Sequence, residues 1–205
     1  MKNNASPLTV TTGNYYNKHE TTNYLYRLLV NRYKSTLQNL VKHLPGTNGF
    51  EIGSGEGYIV DYINEVRPDL QLMGSDISLD LIRKTAADHL DSGWLITLGE
   101  ALPFSNRSFD IVFACEVLEH VYQPEEVLKE IQRITDGYLV ISVPQEPIWR
   151  ILNMLRFKYV RDFGNTPGHV NHWSVNGITQ LIGKYFQVEQ VKVAFPWSFV
   201  VAKQR

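Results

Sequence analysis

From Gly49 onward, short apolar runs of strand length alternate with stretches whose apolar residues recur at helical spacing, and nothing else in the chain limits its fold so tightly. Strands are expected at Gly49–Ile52, Gln71–Ser75, Trp94–Leu98, Phe109–Ala114 and Gly137–Val143, and helices at Tyr58–Val66, Leu79–Leu90 and Pro124–Ile134. Arg67-Pro68 stops the first of these helices. Pro124 followed by Glu125 and Glu126 suits a helix start, where proline sacrifices no hydrogen bond and acids meet the positive end of the dipole. Strands joined through helices form right-handed crossovers, hence a parallel sheet covered on both faces. Two further runs, Phe186–Val193 and Phe195–Ala202, meet around Pro196 as an antiparallel pair. The expected fold class is α/β: a doubly wound, Rossmann-like sheet, mostly parallel with an antiparallel C-terminal strand pair. Such sheets bind ligands at the carboxyl ends of their strands near the switch point, so functional residues are sought just after strands.

Ahead of the alternation, Leu25, Leu28, Leu29, Tyr33, Leu37, Leu40 and Val41 mark an amphipathic helix over Tyr24–Leu44, stopped by Pro45-Gly46. Residues 1–22 are polar and read as a flexible tail, or as a lid in which Tyr15 and Tyr16 close over a ligand. The remaining 23–205 suit a single domain, with 145–173 as a substrate-side insert, because 205 residues bury one core comfortably and two poorly. A net charge of −1 gives no electrostatic reason for tight binding to a nucleic-acid backbone. The single cysteine, Cys115, has no internal disulfide partner, and the N-terminus lacks a secretory apolar core, so a cytoplasmic protein is expected. Asn106-Arg107-Ser108 then reads as a turn, not a glycosylation site.

Phe50-Glu51-Ile52-Gly53-Ser54-Gly55-Glu56-Gly57 sets three glycines between the first strand and the following helix, where a ligand can approach backbone that carries no Cβ. No Gly-Lys-Ser/Thr follows, so this is not a P-loop. Asp76 closes the second strand about two dozen residues on, where a carboxylate can accept both ribose hydroxyls; Asp76 or Ser78 would equally cap the next helix. Turn and acid together point to an adenosine-containing ligand and leave nicotinamide cofactors and S-adenosylmethionine both open.

Three later segments separate them. Leu98-Gly99-Glu100-Ala101-Leu102-Pro103-Phe104, Ser108-Phe109-Asp110-Ile111-Val112 and Cys115-Glu116-Val117-Leu118-Glu119-His120-Val121 resemble, in order and spacing, the class I S-adenosylmethionine-dependent methyltransferases of the type 11 kind. The resemblance covers about Tyr24 to Lys203. It implies that Glu51, Gly53, Ser54 and Gly55 hold the methionine end, Asp76 the ribose and Ile77 the adenine face. Leu98, Gly99 and Glu100 would contact the adenine edge, and Cys115 and Glu116 would complete the cofactor site. Many relatives carry an Asp at the position of Leu98, so here either Glu100 or the Gly99 backbone reads the base. A cofactor with a sulfonium, an ammonium and no phosphate suits a carboxylate-lined site better than an arginine clamp. Asp110 is a packing residue in that family.

The Glu-x-x-Glu-His pattern of Glu116, Glu119 and His120 resembles the divalent-metal site of the small-RNA 2′-O-methyltransferases and some quinone-pathway O-methyltransferases, in which His169 would be the further ligand. The same letters occur in relatives without metal, where they shape the pocket; the preferred reading here has no metal. His120 and His169 are the candidate general bases for a hydroxyl acceptor, since imidazole titrates near neutral pH. His172 reads as an anchor for the turn at Trp173. Between residues 148 and 161, Arg150, Arg156, Lys158 and Arg161 are interleaved with Trp149, Ile151, Leu152, Met154, Leu155 and Phe157. The expectation is a lid whose apolar face packs on its own domain; the alternative is peripheral contact with a membrane that presents a lipid-linked acceptor. The acceptor is expected to be a small molecule, a sugar or a lipid-linked compound. Two other readings stay open: a non-catalytic cofactor-binding regulatory domain, and a nucleotide-dependent oxidoreductase.

Overall fold

The computed structural model describes residues 24–155, 157 and 159–205, with the side chains of Leu25 and Arg161 excepted. The expected tail with Tyr15 and Tyr16 lies outside them, as do Arg156 and Lys158. The elements are α1 (Tyr24–Val41), β1 (Asn48–Ile52), α2 (Tyr58–Asn64), β2 (Gln71–Asp76), α3 (Leu79–Asp88), β3 (Gly93–Ile96), β4 (Phe109–Cys115), α4 (Pro124–Ile134), β5 (Thr135–Pro144), α5 (Ile148–Leu155), α6 (Val175–Gly183), β6 (Gln187–Ala194) and β7 (Trp197–Lys203). They build one seven-stranded sheet in the order β3-β2-β1-β4-β5-β7-β6. The pairings from β3 through β5 are parallel, and β7 runs antiparallel to both β5 and β6. The C-terminal pair is therefore antiparallel as expected, but β7 is inserted between β5 and β6 instead of extending the edge.

The period-two pattern of the strands divides the core. In β4, Val112 and Ala114 face one side with Phe50, Ile52, Leu139 and Ile141, and there meet Leu128 and Ile131 of α4 and Ile178 and Ile182 of α6. Ile111, Phe113 and Cys115 face the other side with Val140, Phe199 and Val201, under Tyr33, Leu37 and Val41 of α1 and Ile63 of α2. β1 pairs with β2 on one edge and β4 on the other, so chain order reverses there and the crevice opens at the carboxyl ends of β1 and β4.

Three local outcomes differ from the sequence pattern. α1 ends at Val41, short of Leu44, because the nearly buried Arg67 guanidinium takes the carbonyls beyond it, donating to Val41 O at 3.3 Å, Leu44 O at 2.7 Å and Gly46 O at 2.5 Å. α6 is an additional helix, capped by the Ser174 hydroxyl, which accepts from Gly177 N at 3.1 Å. Its signal was Ile178, Leu181 and Ile182 at helical spacing, diluted by Gly177 and Gly183. In α5, Trp149 packs on the core with Ile148 and Leu152 half-buried, while Ile151, Met154 and Leu155 are exposed and Asn153 is buried, so only part of the apolar surface packs onto the domain as expected. Asp110 has the structural role expected of it: its carboxylate accepts from Thr47 N at 2.8 Å and Asn48 N at 3.0 Å, fixing the entry to β1.

Candidate active site

The turn after β1 is shaped by two glycines. Gly53 lies at φ 70°, and a Cβ there would stand 2.6 Å from Cγ2 of Val117; Gly55 lies at φ 53° with nothing within 4 Å of where its Cβ would be. The first is needed for close packing of the β1 and β4 loops, the second leaves bare backbone facing open space. Ser54 ties the turn to β2, its N–H donating to Ser75 O at 2.7 Å and its hydroxyl to the same oxygen at 3.1 Å. Asp76 accepts from Gly55 N at 3.1 Å through one carboxylate oxygen and from Ser78 N at 2.8 Å through the other. Ser78 is the N-cap of α3, accepting from Leu81 N at 3.3 Å. Asp76 thus joins two loops at the crevice and keeps its side chain half-exposed there.

Glu51, the next-to-last residue of β1, is completely buried, and neither of its carboxylate oxygens has a hydrogen-bond partner among the described residues. Burial, then the negative charges of Asp76 and Asp61, push its carboxyl up to about 8. A buried carboxyl without a donor is costly, and such groups are kept where a ligand completes them. The loop after β3 is bonded to the same region through Thr97 N and Asp76 O at 3.2 Å. Ile77 and Leu98, the residues following that pair, are 37% and 45% exposed, which makes them apolar walls available to a flat ring. Glu100 is exposed, and Gly99 is not required by its neighbours, a Cβ there meeting only ordinary contacts at 3.4 Å from Val127.

At the end of β4, Cys115 is buried, and burial followed by the Glu51 charge moves its thiol up to about 12. Glu116 takes a left-handed backbone conformation, φ 59°, which turns its side chain toward β5 and β7. One carboxylate oxygen accepts from Trp197 Nε1 at 2.8 Å; the other accepts from the Ser142 hydroxyl at 3.4 Å, which in turn bonds Tyr33 OH at 2.7 Å. Glu116 therefore stands apart from the remaining members of the Glu-x-x-Glu-His pattern.

Those members do come together. Glu119, His120 and His169 each offer a ligand atom within 4.8 Å of the others, and the two imidazoles meet edge to face at 4.8 Å. The loop bearing His169 is strapped to the loop after β4: Val170 N and Asn171 N donate to Glu119 O at 2.8 and 3.1 Å, and Asn171 Nδ2 donates to Leu118 O at 3.0 Å and Val121 O at 2.6 Å. His120 Nδ1 lies 3.0 Å from Gly168 O. A carbonyl only accepts, so Nδ1 carries a proton in this contact. His172 stands outside the group, exposed and bonded to Asn165 Oδ1 at 2.8 Å, a loop partner other than the turn at Trp173. Asn171 is the site residue that the sequence did not announce; a polar residue between two histidines carries no local signal of the strap it forms.

The described site can be set beside known proteins. A family model described as a methyltransferase domain matches residues 50–141, the stretch from β1 through most of β5. A probable S-adenosylmethionine-dependent methyltransferase of Mycolicibacterium smegmatis is 27% identical over 181 residues, covering 84% of this chain and 63% of that protein. Over that stretch the chain is similar to the S-adenosylmethionine-dependent methyltransferases of class I. An uncharacterized protein of Methanocaldococcus jannaschii is 30% identical over 113 residues, 54% of this chain and 51% of that one. The chain so spans about half of the one relative and under two thirds of the other. Among solved structures, the magnesium protoporphyrin IX methyltransferase of Synechocystis, with bound SAH, superposes with a TM-score of 0.67 at 16% identity, covering 90% of this chain and 89% of that one; the likeness is one of fold. The matched stretch contains the loops after β1, β2 and β3, and the named Mycolicibacterium relative is a probable S-adenosylmethionine-dependent enzyme, which favours that cofactor over a nicotinamide one.

Proposed function

We propose that this chain transfers the methyl group of S-adenosylmethionine to an oxygen or nitrogen of a small, sugar-linked or lipid-linked acceptor. The observation that carries the reading is the buried, partnerless Glu51 carboxyl beside Asp76 at the switch point of the sheet. Such a site calls for a cation, and this cofactor brings a sulfonium and an ammonium. When bound, it supplies an electrophilic methyl that an acceptor lone pair takes in line as the carbon–sulfur bond breaks, leaving S-adenosylhomocysteine.

The residues divide the remaining work. Asp76 accepts the ribose hydroxyls, Glu51 balances the charge of the methionine end, and Gly53, Ser54 and Gly55 admit it against the backbone. Ile77 and Leu98 flank the adenine, with Gly99 and Glu100 at its edge, while Cys115 and Glu116 form the wall below. His120 takes the proton from a hydroxyl acceptor, and His169 is the alternative base. Alignment of the reactants in a dry crevice supplies most of the rate. Calorimetric titration of cofactor-free protein with S-adenosylmethionine, S-adenosylhomocysteine and NAD tests the reading. Saturable binding of the two methionine-derived ligands, weakened at least about tenfold by Asp76→Ala in a folded variant, is the expected outcome. No binding of either would sink it.

The proximity of Glu119, His120 and His169 favours one second reading, in which they hold a divalent cation. A carboxylate and two imidazoles suit such an ion, which would polarise an acceptor hydroxyl. Turnover that survives exhaustive chelation removes this version and leaves the histidines as bases.

A further inference from the structure

α5 carries apolar side chains on both sides. Its inner side holds the half-buried Ile148, Trp149 and Leu152 and is tied down by polar groups: Asn153 Nδ2 donates to Gly164 O at 2.9 Å and Thr166 Oγ1 at 3.1 Å, and Trp149 Nε1 donates to the same Thr166 hydroxyl at 2.9 Å. Its outer side carries the exposed Ile151, Met154 and Leu155, and the turn after it adds Phe157, Val160 and Phe163. Phe157 is 89% exposed and Phe163 71%, and both hold left-handed backbone, φ 54° and 50°, a conformation that costs a bulky residue energy without any compensating burial. Six large apolar side chains left exposed within thirteen residues, Ile151 to Phe163, are the composition of an interaction surface. The segment from Ile148 to Phe163 has Arg150, Arg156, Lys158 and Arg161 against Asp162 alone, four basic residues to one acid, in a chain whose net charge is −1.

We infer that α5 and the turn after it dock on an anionic lipid bilayer, so that the acceptor enters the site from the membrane surface. The occupant is assigned by charge and shape together. Apolar side chains enter the headgroup boundary while a local excess of positive charge meets acidic lipid. An eight-residue helix is about 12 Å long, suited to lying in the interface and far too short to cross the membrane. The inner side of α5 is continuous with the site. Trp149 packs at 5.5 Å against Trp197, whose indole holds Glu116, and Thr166 O accepts from His169 N at 3.0 Å. The inference deepens the proposed methyltransferase reading, on which it rests, by naming a lipid-borne acceptor.

The test is co-sedimentation of the full chain with vesicles of phosphatidylcholine containing phosphatidylglycerol and with vesicles of phosphatidylcholine alone, with S-adenosylhomocysteine titrated calorimetrically on the same preparations. Expected are binding to the anionic vesicles only, weakening with added salt, and a loss of at least about tenfold in Leu155→Asp with Phe157→Asp, whose S-adenosylhomocysteine affinity is unchanged. A chain that stays in the supernatant with anionic vesicles, or a double variant that binds them as well as the parent, overturns the inference. So does concentration-dependent self-association abolished by the same two substitutions, which would assign the face to a second copy. S-adenosylhomocysteine binding without vesicle binding rejects the surface and leaves the methyltransferase reading standing; vesicle binding without the nucleoside does the opposite.

Discussion

The proton on Glu51 is held more tightly by the folded protein than by the unfolded chain, because burial and then Asp76 and Asp61 oppose ionisation and move the carboxyl from its ordinary 4.5 to about 8. Between those values the unfolded state binds fewer protons than the folded one, so the unliganded protein loses stability as pH rises through this window. Glu51→Gln removes the dependence. Its melting temperature should exceed the parent's by a margin that grows from nothing below pH 4.5 to at least about 2 °C near pH 8, while S-adenosylhomocysteine affinity falls about tenfold or more. A variant with the parent's pH profile would mean that Glu51 ionises freely. Cys115 makes the complementary case at the same scale. Burial and the Glu51 charge raise its thiol to about 12, so the reactive thiolate is scarce. Disulfide reagents at pH 8 should leave it untouched until denaturant unfolds the chain, as followed by release of the aromatic thiol.

Among the elements, the junction of α1 with the sheet depends on a side chain from elsewhere in the chain. Arg67 follows α2, pairs with Asp69 at 2.8 Å, and satisfies the carbonyls of Val41, Leu44 and Gly46. Arg67→Met keeps the stem and removes the donors, leaving those carbonyls to compete for water in a place where the arginine itself is only 6% exposed. We expect a loss of about 2–3 kcal/mol, seen as a lower urea midpoint at unchanged slope. The order and type of most elements were legible because each rests on local pattern: a short apolar run for β4, a proline and two acids for α4, a serine cap for α3. α6 escaped because its glycines dilute a helical pattern only nine residues long. The direction faced by α5 escaped for another reason. Periodicity shows that a segment has two faces but not which one the domain covers, and here hydrogen bonds from Asn153 and Trp149 outweigh burial of Ile151 and Leu155.

Across the whole molecule, one network gathers α1, β4, β5, α5 and β7 around the site: Tyr33 to Ser142 to Glu116, with Trp197 donating to Glu116 and packing at 5.1 Å on Tyr33 and 5.5 Å on Trp149. Trp197→Phe keeps an aromatic ring and deletes the indole donor. The expected result is a stability loss of about 1–2 kcal/mol with an S-adenosylhomocysteine affinity lowered about tenfold, because the Glu116 carboxylate is then held from one side only. Unchanged affinity in a folded variant would show that Glu116 orients itself without help. The sequence by itself determined the strands and all helices but α6, the glycine turn, and the placing of Glu51, Asp76 and Glu116 at strand ends, since these follow from residue type and spacing over a few positions. Only the tertiary structure decided that β7 enters between β5 and β6 and that Glu116 leaves its pattern for Trp197, while the meeting of His169 with Glu119 and His120 was implied by the resemblance and not by spacing. Those meetings join residues far apart along the chain, and they are set by sheet register and by loops bonded backbone to backbone, which no local spacing encodes.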